Sequence, residues 1–169
     1  MAANVVSRAF RHLFAGSGGK LYPEPSLQRI AAAIAEGETT HRGQVVFAVE
    51  PALPLLAVIG GRTPRDRAGH VFSHLRVWDT EANNGVLIYL LVADHRIEIL
   101  ADRGLAARVG DAQWREVCAL MEARLKSGDA EAAAIAGVQA VSSLLAAHFP
   151  RGAGDESRNE LSDRPYLFD

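Results

Sequence analysis

Two short segments carry the side chains best suited to chemistry. One is Trp78-Asp79-Thr80-Glu81-Ala82-Asn83-Asn84-Gly85, dense in carboxylate and amide oxygen; the other is Asp102-Arg103-Gly104, a carboxylate beside a guanidinium. Carboxylates and carboxamides are the oxygen donors that hard cations such as Ca²⁺ and Mg²⁺ select. A phosphoryl hydrolase needs a nucleophile or an activated water and positive charge for the phosphoryl oxygens, which a metal ion with an arginine beside it could supply. The same residue types cap helices and close turns. The choice between these roles turns on whether the fold brings the two segments together.

The apolar pattern indicates the elements that would position them. Gln44 to Glu50 has an unbroken apolar centre, Val45 to Val49, and predicts a strand buried on both faces. Thr63-Pro64 predicts a helix start, with Ala68, Val71, Phe72 and Leu75 as its buried stripe. Asn84-Gly85 opens a second strand, Val86 to Val92, and a tight connection around Asp94 leads into a third, His95 to Ala101. A strand–helix–strand crossover makes the first two strands parallel, and the tight connection makes the third antiparallel to the second. Both parallel strands then begin, and the third ends, at one end of the sheet. Glu38 and His41, then Asp79, Glu81, Asn83 and Asn84, then Asp102 and Arg103 are expected to converge there, with Asp102 opposite about Leu87.

Helices complete the architecture. Ser26 is expected to cap one after Pro25, with Leu27, Ile30, Ala31 and Ile34 inward and an end near Gly37. Asp111 is expected to cap another that buries Trp114, Val117, Cys118, Met121 and Leu125 and stops at Gly128. Asp129 caps the last, which turns Ile135, Val138, Val141 and Leu145 inward and ends before Pro150. Near the N-terminus Val5, Val6, Phe10, Leu13 and Phe14 recur at helical spacing, as a helix docked on the domain or one lying on a membrane surface. The chain divides into an N-terminal helix and linker (1–22), an α/β domain (23–150) and an exposed tail (151–169) in which Tyr166-Leu167-Phe168 can dock on the domain or on a partner. The expected fold is α/β, an α/β/α sandwich with a small mixed β-sheet flanked by helices on both faces.

Composition narrows the function classes. In 169 residues, 49% are hydrophobic and 22% charged, which excludes a generally disordered chain. A formal charge of −2 with scattered Lys and Arg gives no electrostatic footprint for nucleic acid. Cys118 is the one cysteine, so no intramolecular disulfide forms, which fits a reducing, cytoplasmic setting. Arg8, Arg11 and His12 interrupt any signal-peptide core, and the apolar run Val86 to Ala93 falls far short of the ~20 residues of a transmembrane segment, so none is expected. His70 and His74 have the spacing of a zinc pair, but Val71 stands where a zincin has its glutamate, and both are expected to be partly buried structural histidines. Cys118, in a core face, is expected to be an inert thiol. No P-loop, Gly-x-Ser-x-Gly elbow or Cys-x5-Arg is present.

Trp78-Asp79-Thr80-Glu81-Ala82-Asn83-Asn84-Gly85-Val86-Leu87-Ile88-Tyr89 resembles the "NGVL" signature of the TPM-domain family, and Ile97-Glu98-Ile99-Leu100-Ala101-Asp102-Arg103-Gly104 its "vEI..DrG" signature. Trp114, His148-Phe149-Pro150 and Asn159-Glu160-Leu161-Ser162-Asp163, the last similar to "NeLpD", extend the likeness over residues 26 to 163. The resemblance implies an α/β/α sandwich. The family includes a thylakoid-lumen protein linked to photosystem II repair, for which acid phosphatase activity has been proposed, and calcium-binding members. By position it implies Asp79, Asn84 and Asp102 as ligands of Ca²⁺ or Mg²⁺, with Asp102 and Arg103 as the catalytic pair if the domain is a phosphatase. Two departures stand out: many relatives carry a secretory signal and membrane anchor, and many have Gly-Glu-Ile where this chain has Gly43-Gln44-Val45. The expected function is a divalent-metal-binding interaction module for an unknown protein partner. The alternative is a weak metal-dependent acid phosphatase acting on a phosphorylated substrate.

Overall fold

The computed structural model describes residues 2–155 and 158–168. Its strands β1 (Gln44–Glu50), β2 (Gly85–Leu91), β3 (Arg96–Ala101) and β4 (Tyr166–Leu167) form one sheet in the order β3-β2-β1-β4. β1 and β2 are parallel, with Gln44 opposite Gly85, and β3 is antiparallel to β2, as the crossover and the tight connection require. The register differs from expectation. Val86 pairs with Ala101, so Asp102 continues opposite Gly85 rather than Leu87, and its N–H donates to Gly85 O at 2.9 Å. The chain reversal is centred between Ala93 and Asp94, slightly earlier than the sequence suggests, and this brings Asp102 closer to Asn84.

Every residue of β1 and β2 is buried, because alternate side chains enter two different cores. Val45, Phe47 and Val49 with Val86, Ile88 and Leu90 pack against α3 (Glu24–Glu38), α7 (Asp111–Lys126) and α8 (Ala130–His148). Val46 and Ala48 with Leu87, Tyr89 and Leu91 face α5 (Pro64–His74) and the short α4 (Leu55–Ile59). The result is the expected α/β/α sandwich. Among the described residues α8 is the one helix long and apolar enough to cross a bilayer. Here its Ala133, Ala134, Val138, Val141 and Leu145 are buried in the protein instead.

The helix starts show which sequence signals dominate. α5 follows its Thr63-Pro64 signal: Thr63 Oγ1 accepts from Asp66 N at 3.1 Å, and Asp66 Oδ2 accepts from Thr63 N at 3.1 Å. Asp129 caps α8 through Ala132 N at 2.9 Å. Ser26 does not cap α3. The helix already begins at Glu24, because the Pro25 ring fits a first turn that needs no N–H, and the Ser26 hydroxyl donates to Glu131 of α8. α7 takes Gly110 as its cap, with Gln113 Oε1 returning to Gly110 N at 3.1 Å, so Asp111 is the first helical residue.

The remaining expectations hold in part. His70 and His74 are exposed, since they lie across α5 from the Ala68–Val71 stripe, and His70 Nδ1 sits 2.6 Å from Arg62 Nη1. α1 (Ala2–Leu13), followed by the one-turn α2 (Gly18–Leu21), docks on α4 with Ala9 against the second core, yet its larger apolar residues Val5, Val6, Phe10 and Leu13 face outward. Tyr166-Leu167-Phe168 dock on the domain as a fourth strand: Ala48 pairs with Tyr166, and Phe168 N donates to Val49 O at 2.9 Å. Residues 152–154 and 158–160 of the tail are exposed.

Candidate functional site

The segment between α5 and β2 folds back on itself. Thr80 Oγ1 accepts from Asn84 N at 3.1 Å, Asn83 N donates to Thr80 O at 3.1 Å, and Asn83 adopts φ +51. A Cβ on Gly85 would stand 2.0 Å from Val77 O, so the strand can begin here only with glycine. Asn84 is fully buried, and its Nδ2 donates to Arg42 O at 3.1 Å in the loop before β1. The loops before β1 and β2 therefore meet at this end of the sheet, as topology requires.

The other half of the site leaves β3 directly. Asp102 Oδ1 accepts from Arg103 N at 2.7 Å and caps the one-turn helix α6 (Arg103–Ala106). Gly104 N donates to Asn83 O at 2.9 Å, and Arg103 Nε donates to Asn83 Oδ1 at 2.9 Å. A Cβ on Gly104 would lie 2.4 Å from Asn83 O and 2.8 Å from Ala82 O. The two signature segments are thus locked face to face. Within this contact Asn84 Oδ1 and Asp102 Oδ2 are buried without a hydrogen-bond donor from the protein. Both atoms are acceptors.

Asp79 sits at the rim. Its side chain is about half exposed, it lies 3.9 Å from Arg76 Nη1, and it lines a groove of about 770 Å³ with Arg42, Glu81, Asp155, Arg158 and Glu160. The fold brings Asn84, Asp102 and Arg103 together and leaves Asp79 in this neighbouring groove. Among the described residues no three His, Cys, Asp or Glu side chains form a metal cluster. A cation at Asn84 and Asp102 would therefore take a mixed set of carboxylate, carboxamide and carbonyl oxygens, a set that suits Ca²⁺ or Mg²⁺.

Glu38 and His41 lie behind this end of the sheet. Glu38 Oε1 accepts from Val45 N at 3.1 Å, but burial outweighs that bond and lifts its carboxyl to about 7. His41 is buried, with Nδ1 3.1 Å from Gly43 O, and burial depresses it to about 4, so the ring is neutral at pH 7. Burial also lifts the Cys118 thiol to about 11, in keeping with an inert side chain.

Several contacts here are invisible in the motifs. Thr80 is read as a loop residue, yet its hydroxyl fixes Asn84. Gln44 Oε1 accepts from Glu160 N at 2.8 Å and Leu161 N at 2.9 Å, and Glu160 Oε2 accepts from Glu81 N at 3.0 Å. The Asn159–Asp163 segment is in this way tied to both β1 and the loop before β2. Gln44 serves there as an acceptor, a role that a glutamate would fill equally, so the departure from Gly-Glu-Ile preserves the contact. The available sequence signal was the NeLpD-like segment itself.

No curated protein matches the chain. Seven solved chains do. Among them is the NMR structure of BA42 protein from the psychrophilic bacterium Bizionia argentinensis, at 25% identity and a TM-score of 0.74, covering 84% of this chain and 92% of that one. The family profile of the TPM domain matches residues 23–144, a span that holds both signature segments and the three sheet strands that position them. The chain belongs to the TPM-domain family.

Proposed function

We propose that the sheet end at Asn84 and Asp102 is a divalent-cation site, and that the cation orders two loops for contact with a protein partner. The observation that carries this reading is the pair of buried, unpaired acceptors, Asn84 Oδ1 and Asp102 Oδ2. A buried acceptor without a donor costs about 1–3 kcal/mol, so something outside the chain must satisfy it. Water can donate to either oxygen, but only a cation also neutralises the Asp102 charge while meeting both. Asp79 completes the set from the groove rim by exchanging its ion pair with Arg76 for the cation.

The test is melting in EDTA, Ca²⁺ and Mg²⁺. At a hundredfold excess over the dissociation constant, a cation that binds only the folded state adds ~2.7 kcal/mol. For a domain of this size that is a rise of roughly 5–11 °C. Asp102→Asn is the informative variant: it retains an oxygen to cap Arg103 N and removes the charge, so it should keep the metal-free melting temperature and lose the rise. Asp102→Ala would also remove the cap, at about 0.5–2 kcal/mol, and confuse the two effects. Identical wild-type curves in all three solutions would remove the cation from the site.

A second reading, a metal-dependent phosphatase, rests on Arg103, whose guanidinium is anchored on Asn83 Oδ1 beside Asp102. There Arg103 would hold phosphoryl oxygens and a bound metal would supply activated water. Hydrolysis of p-nitrophenyl phosphate that vanishes with EDTA and with Arg103→Ala supports it; hydrolysis indifferent to both rejects it.

A further inference from the structure

The contacts of α1 run opposite to those of an ordinary amphipathic helix. Beside the small Ala9, which touches the second core, its inward contacts are polar: Arg8 Nη2 lies 2.7 Å from Asp94 Oδ2, Arg11 Nε donates to Ala93 O at 3.1 Å, and His12 Nδ1 accepts from Leu53 N at 2.8 Å. His12 is buried, with Nε2 3.1 Å from Asp94 Oδ1. On the outer side Val6, Phe10, Leu13 and Phe14 are 58–72% exposed, and the Phe10 and Phe14 rings stack at 5.8 Å. Leu56 at 84% and Ile59 at 59% add the exposed side of α4, on which α1 packs. A surface helix normally turns its apolar stripe to the core. Here the polar anchors hold the stripe toward solvent, and two adjacent helices present one apolar face.

Charge indicates what covers that face. Residues 2–22 and 51–65, which build it, contain Arg8, Arg11, Lys20, Arg62 and Arg65 and no Asp or Glu, in a chain with more acids than bases. Arg8 and Arg11 turn inward onto Asp94, and Arg65 binds Glu98 and Ile99 O, so Lys20 and Arg62, the latter with Asp66 nearby, are the cations left to the outer surface. We infer that this face seats on the surface of a membrane containing anionic lipid. The aromatic and aliphatic side chains enter the boundary between headgroups and acyl chains, and Lys20 and Arg62 meet lipid phosphates. Because the anchors to Asp94, Ala93 and Leu53 lie on the opposite side, α1 can lie in the interface plane without leaving the domain.

The experiment is co-sedimentation of the full chain with vesicles of mixed phosphatidylglycerol and phosphatidylcholine, and with phosphatidylcholine alone. Binding should require the anionic lipid and weaken at 1 M salt, where the Debye length falls to about 3 Å. The double variant Phe10→Glu, Leu56→Glu should bind at least about tenfold more weakly, and Lys20→Glu should weaken binding through charge alone. All three side chains are exposed, so unchanged melting curves certify the variants. No sedimentation with anionic vesicles, or equal sedimentation of the double variant, would overturn the inference. So would a dimer in sedimentation velocity that the double variant abolishes while vesicles are ignored, since the face would then belong to a second copy.

Discussion

Replacing Gly104 with alanine should part the two halves of the site without removing any candidate ligand. The new Cβ would stand 2.4 Å from Asn83 O and 2.8 Å from Ala82 O, where ordinary contact begins near 3.4 Å. Both obstacles are backbone atoms, so relief requires the loop to withdraw by up to about 1 Å. That movement breaks the bond from Gly104 N to Asn83 O, worth about 1 kcal/mol, and overpacking adds about 1–3 kcal/mol. Alanine returns about 0.4–1 kcal/mol by restricting the unfolded chain. The net loss is about 1–3.6 kcal/mol, a fall of roughly 2–14 °C in melting temperature.

Gly69 supplies the control. It lies within α5 with nothing within 4 Å of its added Cβ, so Gly69→Ala should raise the melting temperature by a few degrees. Thermal and urea unfolding of the three proteins measures both effects. The cation-induced rise should also shrink in Gly104→Ala, since its Asn84 and Asp102 oxygens are no longer held at their native separation. A Gly104→Ala protein that melts at or above the wild type would refute the reasoning, because the loops would then not be in contact as described.

Two further outcomes are expected. Glu38, lifted to about 7 from 4.5, favours folding while protonated, so its contribution is complete below pH 4.5 and is lost as pH rises through 7. His41, lowered to about 4 from 6.5, favours folding while neutral, so its contribution is present above pH 6.5 and is lost as pH falls toward 4. The slopes oppose one another between these limits. Glu38→Gln should unmask the His41 slope as a loss of stability toward acid, of at most about 1.4 kcal/mol per pH unit, in urea titrations across a pH series; parallel wild-type and variant profiles would contradict it. Phe168, which packs on the second core with Arg67 5.6 Å from its ring centre, is half-buried, so Phe168→Ala should cost about 2 kcal/mol, roughly half the usual value for a buried ring. A change below about 0.5 kcal/mol in the same unfolding measurement would show the tail end to be dispensable, as for an ordinary surface substitution.

The sheet was legible because its signals are long and redundant. β1 and β2 are apolar at nearly every position, and the Thr63-Pro64 start forces a crossover between them, so direction and burial follow together. The short elements were not legible. α4 and α6 span about a turn each, too little for periodicity to register. α1 was legible as a helix but not in its orientation: its apolar stripe is real, but three specific polar contacts decide which side faces the domain, and spacing carries no trace of Asp94. Of the candidate site, topology alone placed Asn84 and Asp102 at one end. It did not separate Asp79, because the turn at Arg76 and Asn83, both at positive φ, sets where that side chain points.

The tail gives the site a coupling that no single motif contains. Glu160 accepts from Glu81 N, so one end of the loop that carries Asn84 is clamped by the tail, while Asn83 at its other end is clamped by Arg103 and Gly104. Gln44 Oε1 holds the same tail segment to the start of β1, whose neighbour in the ladder is Gly85. A ligand that tightens the loop at Asn84 therefore also tightens the tail, and a partner that grips Glu160 or Asn159 in the groove biases the geometry of Asn84. On the proposed reading the coupling is reciprocal: whatever factor a bound cation would add to partner affinity, the partner would add to cation affinity. Gln44→Ala tests it by removing the shared acceptor and leaving the Asn84 and Asp102 oxygens in place. Cation affinity should fall in that variant, as read by the midpoint of a Ca²⁺ or Mg²⁺ titration of the melting temperature. An unchanged midpoint would show that the tail and the cation site act independently.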